Sequence, residues 1–178
     1  MARLFIAVEL PGDIKAALSS FRDEIPGLRW VPPDQIHLTL RFLGDVLPQT
    51  CAMLKKNLAA VSFTPFPLTL RGVGHFPPHG HPRVLWVGLE ESRALLSLQQ
   101  QVEAAVVGAG IVPEERGFSP HITLARIKEN ASSAVARFES VHRALSFPPF
   151  NVEEFILFSS VLTPKGAMHR IEETYRCG

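Results

Sequence analysis

The sequence predicts an α+β protein built on antiparallel sheets, and three observations carry that expectation. Segments of strand composition alternate with segments of helical period. The series strand, helix, strands, helix then occurs approximately a second time. Several strands are also joined by short turns that close hairpins, which favours antiparallel sheets over a doubly wound parallel one.

"RLFIAVEL" is an apolar run with β-branched and aromatic residues, bounded by "PGD", and reads as a first strand buried on both faces. From Pro11 the period changes: Ile14, Leu18, Phe21 and Ile25 recur at helical spacing until Pro26-Gly27. "LRWVPPDQ" is an extended piece and turn, and "IHLTLRFLG" a strand closed by Gly44. A second helix runs from Pro48 to about Val61, with Met53, Leu54, Leu58 and Val61 on one face. "FPLTLRGVGHF" and "RVLWVGL" are two strands joined by the irregular, exposed loop "PPHGHP". A third helix spans about Ser92 to Val107, with Leu95, Leu98, Val102 and Val106 on its buried stripe and Gly108 and Gly110 at its end. "SPHITLARI" is a strand and "ASSAVARFESVHRAL" a helix. "FNVEEFILFSSVL", the turn "TPKG" and "AMHRIEETYR" form a closing hairpin.

A chain of 178 residues suits one domain with a sizeable core, and 46% hydrophobic against 20% charged residues is the composition of a folded protein. The net charge of +1 excludes a global basic field that would hold long nucleic acid, so any RNA would be recognised locally. Two cysteines, Cys51 and Cys177, exclude a disulfide scaffold and a Cys-rich zinc site, and fit a reducing cytoplasm. The N-terminus lacks the pattern of a signal peptide, and no apolar run approaches the ~20 residues of a membrane span. The expectation is a soluble cytoplasmic protein, with no heptad or long apolar edge to oppose a monomer.

Residues 37–40 spell HLTL and residues 121–124 spell HITL. Side chains on a strand alternate between faces, so His37 and Thr39 share one face while Ile36, Leu38 and Leu40 share the other. His121 and Thr123 stand in the same way against Ile122 and Leu124. The repeat reads as an internal pseudo-repeat whose two polar faces meet across a cleft. Histidine titrates near pH ~6.5, so one ring can give a proton while the other takes one. The threonine hydroxyls can donate to phosphate oxygens, and Arg126, two residues past Leu124, is assigned to the His121 face, where its guanidinium would meet the same anion. Phe42 is assigned to the core face on its parity with Leu38 and Leu40, and is left out of the site.

These paired strands resemble the two-histidine (2H) phosphoesterases, whose hallmark is two H-x-[ST]-x motifs. More narrowly the chain resembles their RNA 2′,3′-cyclic phosphodiesterase branch, once described as 2′–5′ RNA ligases (LigT-like). The likeness runs through "LFIAVELP", "HLTLRFLG", "GVGHFPP", "RVLWVGL", "SPHITLARIK" and "LFSSVLTPKGAMHRIEE". It implies one domain over residues 1–178, made of two intertwined pseudo-symmetric lobes. Each lobe would be an antiparallel sheet with helices outside, and the active-site groove would lie between them. It implies hydrolysis of a terminal 2′,3′-cyclic phosphate, on RNA ends or nucleotides, to a 2′-phosphate without cofactor or metal. His37 and His121 would be the catalytic pair; Thr39, Thr123 and Arg126 would bind substrate. His121 is placed at the attacking water and His37 at the departing 3′-oxygen, an order that the symmetry of the pair leaves open. One departure is His169, where relatives often carry tyrosine.

Three other readings compete. His75, His79 and His81 could chelate a metal, but no carboxylate stands near them in the sequence, and an exposed loop is the simpler reading. A non-catalytic RNA-end or nucleotide-binding module would use the histidines only as phosphate ligands. Ligation of a 2′,3′-cyclic phosphate to a 5′-hydroxyl would use the same pair in reverse.

Overall fold

Strands and helices form where the period of the chain changes. In this computed structural model, which describes residues 2–128 and 130–178, the first run is strand β1 (Ala2–Glu9). Its Leu4, Ile6 and Val8 point into the main core and its Phe5 and Ala7 point the other way, so it is buried on both faces as predicted. Helix α1 (Gly12–Ser19) follows Pro11 and tightens into a 3₁₀ turn over Ser20–Asp23. A short β2 (Arg29–Trp30) and a 3₁₀ turn (Pro33–Gln35) lead into β3 (His37–Val46). Helix α2 (Pro48–Ala59) buries Leu54 and Leu58. Met53 lies a third of a turn away from Leu54 and is exposed, which corrects its placement on the buried face.

The expected strand "FPLTLRGVGHF" is two strands, β4 (Phe66–Leu68) and β5 (Leu70–Phe76), because the chain changes partner at Thr69. β6 (Val84–Leu89) follows the exposed loop, and α3 (Arg93–Gly108) is capped by Ser92, whose Oγ accepts the amide N–H of Leu95 at 3.1 Å. β7 (Ile122–Arg126), α4 (Ser132–Val141) and β8 (Phe150–Val152) come next. The last segment divides at Glu153, so that β8 pairs with β4 while β9 (Glu154–Thr163) and β10 (Gly166–Arg176) form the closing hairpin.

Among the described residues every strand pair is antiparallel. One four-stranded sheet has the order β10-β9-β1-β3 and the other β2-β7-β6-β5. The halves exchange strands: the first keeps β1 and β3 in the first sheet but gives β2 and β5 to the second. The second half keeps β6 and β7 and sends β9 and β10 to the first sheet. One core joins the sheets to the apolar stripes of α1, α2, α3 and α4, including Leu18, Leu54, Leu98 and Phe138. On the opposite face of the first sheet lies a separate cluster of Phe5, Ala7, Ile156 and Phe158. That second face carries the first motif.

Candidate active site

Residues directly opposed in an antiparallel ladder share a face. His37 is opposite Glu9 and Thr39 opposite Ala7, so both stand on the face of Phe5 and Ala7. Ile36, Leu38 and Leu40 enter the main core, as predicted. His37 is only 7% exposed, and Thr39 is half-buried.

The alternation then slips. Thr39 opposes Ala7, but Arg41 opposes Ile6, so Leu40 is an extra residue and forms a bulge. Its carbonyl is met by Gln99 Nε2 at 3.4 Å. Arg41 consequently turns to the helix side, where its Nε donates to Glu103 Oε2 (2.7 Å) and its Nη2 to the Val112 carbonyl (2.6 Å). Phe42 turns the other way: it opposes Phe5 and is 66% exposed. The expectation that Phe42 faces the core is therefore wrong, because the count by twos fails at the bulge.

The second motif repeats the device. His121 sits just before β7, Thr123 is opposite Trp86 and Arg126 opposite Val84. Leu124 is the extra residue, and its carbonyl accepts the amide of Val31 at 2.8 Å. Arg126 is five residues from His121, so strict alternation would set it on the core side with Leu124. The assignment to the motif face does not follow from parity. It holds because the bulge returns Arg126 to the face of Thr123 and Trp86. Phe42 and Arg126 thus occupy equivalent outward positions, each three residues after a motif threonine.

Each histidine is braced by a phenylalanine on an exchanged strand. Phe158 of β9 packs on His37 with ring centroids 4.6 Å apart, and Phe76 of β5 meets His121 edge-on at 4.9 Å. Both phenylalanines lie two strands from their motif strand, at matching places in the two sheets. The motif strands are themselves in contact, and β2 extends the second sheet beside β7 just before the chain enters β3.

The surroundings of the two rings differ. His121 Nδ1 lies 2.7 Å from the Ser119 carbonyl. A carbonyl only accepts, so Nδ1 carries the proton, and the neutral ring keeps a lone pair on Nε2. His37 Nε2 is instead 3.5 Å from Glu9 Oε2, an ion-pair distance, and has no hydrogen-bond partner. Glu9 also pairs with Lys15. Burial pushes the Glu9 carboxyl up, but the contacts with His37 and Lys15 outweigh it and hold the group below its ordinary value. A third imidazole, His169 of β10, lies 5.5 Å from His37 and edge-on to Phe5 at 4.8 Å. Its Nδ1 is buried without a partner. Burial and the nearby His37 favour its neutral form, while Asp34 and Glu9 oppose this only in part.

On the second sheet Trp86 lies over Gly74, where an added Cβ would collide with the indole, and beside Gly88, where it would collide with the Arg71 carbonyl. His75 faces the helix side opposite Leu85, and its Nδ1 contacts Glu139 of α4; His79 and His81 are exposed in the loop. Among the described residues no group of three or more His, Cys, Asp or Glu is arranged to hold a metal ion. Sequence reading missed Glu9, Phe76 and Phe158 as neighbours of the motifs, and set Phe42 aside on parity. Only strand register reveals them, although "GVGHFPP" and "FILFSS" each supply an aromatic residue on a strand.

The sequence profile described as LigT like Phosphoesterase matches residues 8–86 and again 87–169. The chain is 39% identical to the RNA 2′,3′-cyclic phosphodiesterase of Thermus thermophilus, over 97% of this chain and 89% of that protein. It is 33% identical to the protein of the same name from Archaeoglobus fulgidus, over 94% and 96%. The crystal structure of E. coli LigT complexed with 3′-AMP superposes with a TM-score of 0.81 at 27% identity, over 99% of this chain and 98% of that one.

Proposed function

The chain belongs to the LigT-like phosphoesterases, and on that footing we propose that it is an RNA 2′,3′-cyclic phosphodiesterase that opens terminal cyclic phosphates to 2′-phosphates. The observation that carries the mechanism is the unequal setting of two otherwise equivalent histidines. His121, with Nδ1–H held by the Ser119 carbonyl, offers Nε2 as the base that takes a proton from water. The water oxygen bonds to phosphorus in line with the departing 3′-oxygen, and the P–O3′ bond breaks. His37, as an imidazolium, directs one N–H at Glu9 and gives the other proton to O3′. The products are a 2′-phosphate and a free 3′-hydroxyl, and solvent returns the proton from His121 to His37.

Thr39 and Thr123 would donate to the non-bridging oxygens, and Arg126 would neutralise charge gathering on them in the transition state. No step calls on a metal or cofactor. We also infer that residues 1–178 act as one domain of two intertwined lobes, which the strand exchange supports. A cytoplasmic monomer fits the free, half-buried Cys51 and Cys177. No helix among the described residues is long and apolar enough to cross a membrane.

The test is incubation with RNA ending in a 2′,3′-cyclic phosphate, followed by identification of the product end. A 2′-phosphate is expected. A 3′-phosphate, or no turnover, would overturn the reading.

A further inference from the structure

We propose that Arg29, on the edge strand of the second sheet, binds the phosphate carried on the 5′-oxygen of the terminal nucleotide; this rests on the function proposed above. The site then favours an RNA end, which carries that phosphate, over a nucleoside cyclic phosphate, which lacks it. The observation behind it is a pair of arginines set directly against each other. In the ladder of β2 and β7, Arg29 is opposite Arg126 and Trp30 opposite Ala125. Opposed residues share a face, so Arg29 stands on the face of Arg126, Thr123 and Trp86. Trp30 fixes that orientation, because it packs against the main core and its Nε1 donates to the Ile25 carbonyl at 2.9 Å.

Like charges directly opposite, with Cβ atoms about 4.5–5.5 Å apart, destabilise a ladder. Both arginines are exposed, and among the described residues neither has an ion-pair partner; the arginines that do are Arg41, Arg71, Arg116 and Arg176. Carboxylates of adjoining segments are engaged elsewhere: Glu24, ahead of β2, pairs with His142, and Glu139 of α4 with His75. Arg83 and Lys128 are exposed at the same corner, where the Ile127 amide donates to the Arg83 carbonyl at 2.8 Å. Four cations thus gather at one end of β7 in a chain whose net charge is +1. The fold gains nothing from that crowding, whereas an anion lying between the arginines relieves it.

The position of the pair identifies the anion. Thr123 and Arg126 oppose Trp86 and Val84, two residues apart on β6, so at ~3.3 Å per residue the pair lies about 7 Å along the sheet from Thr123. That separation is comparable to the one between the cyclic phosphate and the 5′-phosphate of a single nucleotide. Arg126 reaches back to the cyclic phosphate, and Arg29, one strand further out, meets the next phosphate of the chain. An acidic protein docked at this corner would leave small substrates indifferent to Arg29, so one experiment separates the two.

The experiment measures adenosine 2′,3′-cyclic phosphate and its 5′-phosphorylated form on wild-type protein, Arg29→Ala and Arg29→Lys. The wild type should show a KM about five- to tenfold lower for the 5′-phosphorylated substrate, and added salt should erode that preference. In Arg29→Ala the two KM values should converge, chiefly because the phosphorylated substrate binds less well, and Arg29→Lys should keep part of the preference. A wild type indifferent to the 5′-phosphate, a preference that survives in Arg29→Ala, or an equal loss on both substrates would overturn it. The last result would put Arg29 on the cyclic phosphate instead. If the wild type turned over neither substrate, the proposed reaction would fail by itself. Calorimetry with adenosine 2′,5′-bisphosphate and adenosine 2′-monophosphate would then decide the subsite: tighter bisphosphate binding that is lost in Arg29→Ala supports it, and equal binding overturns it.

Discussion

The strands β3 and β7 are built alike through the motif and its bulge, and on the outward face they differ at the sixth residue. Both place a histidine and a threonine on one face, both bury the residues between, and both bulge at a leucine whose carbonyl finds a partner outside the ladder. Both then turn the sixth residue outward, and here one is Phe42 and the other Arg126. Behind the histidines the difference is sharper. His37 faces Glu9 and stands beside His169, whereas His121 faces a backbone carbonyl. Duplication supplies two equal sets of groups, but phosphodiester hydrolysis needs direction, since a proton leaves the water and a proton reaches the 3′-oxygen. The repeated residues suit the shared chemistry, and the unequal neighbours suit the direction.

Breaking the symmetric part should have the largest effect. His37→Ala and His121→Ala should each lower kcat about 10²–10⁴-fold, while calorimetry shows binding of adenosine 2′-monophosphate largely retained. A graded loss of binding with turnover kept would instead make the histidines mere phosphate ligands. Removing the cation on one side comes next. Arg126→Ala should lower kcat/KM roughly tenfold or more, mainly through kcat, with partial recovery in Arg126→Lys, because charge-assisted hydrogen bonds contribute about 1.5–3 kcal/mol. That loss should appear equally on glycerol 1,2-cyclic phosphate, which keeps the five-membered ring and has no base.

A smaller effect tests the floor of the second sheet. Trp86 lies where the first sheet has the small Ala7, and only glycine at 74 leaves room for its indole. Gly74→Ala should cost about 1–3 kcal/mol of stability, seen as a lower Tm. The smallest effect belongs to the titratable groups of the first sheet. His169 is held below its ordinary value of 6.5, so the unfolded chain takes up a proton first and stability falls as pH drops below that value. Glu9, held below 4.5, adds stability above that pH and loses it on further acidification. Both groups are partly solvated, so each contributes well under about 1 kcal/mol. Urea midpoints across pH should show the upper step absent in His169→Gln and the lower one absent in Glu9→Gln.

Much of this architecture was legible in the chain, for definite reasons. Alternation and helical period are local, so the α+β class, the four helices and the inward leucines of both motifs could be read from residue order. The bulges could not, because neither Leu40 nor Leu124 is a glycine or proline that would mark a break. Counting by twos therefore sent Phe42 into the core, and it offers no valid route to Arg126. Register and strand exchange are long-range choices, so the pairing of Glu9 with His37 and the bracing of each histidine by Phe158 or Phe76 appear only once the sheets are assembled.

The claim that the two histidines have opposite roles is tested most directly with a cyclic substrate in which sulfur replaces the bridging 3′-oxygen. A thiolate leaves without protonation, so such a substrate has no need of a general acid. Single-turnover rates should show His37→Ala restored to near wild-type activity on the sulfur substrate, while His121→Ala stays inactive on both. Rescue of His121→Ala instead, or of neither variant, would contradict the assignment.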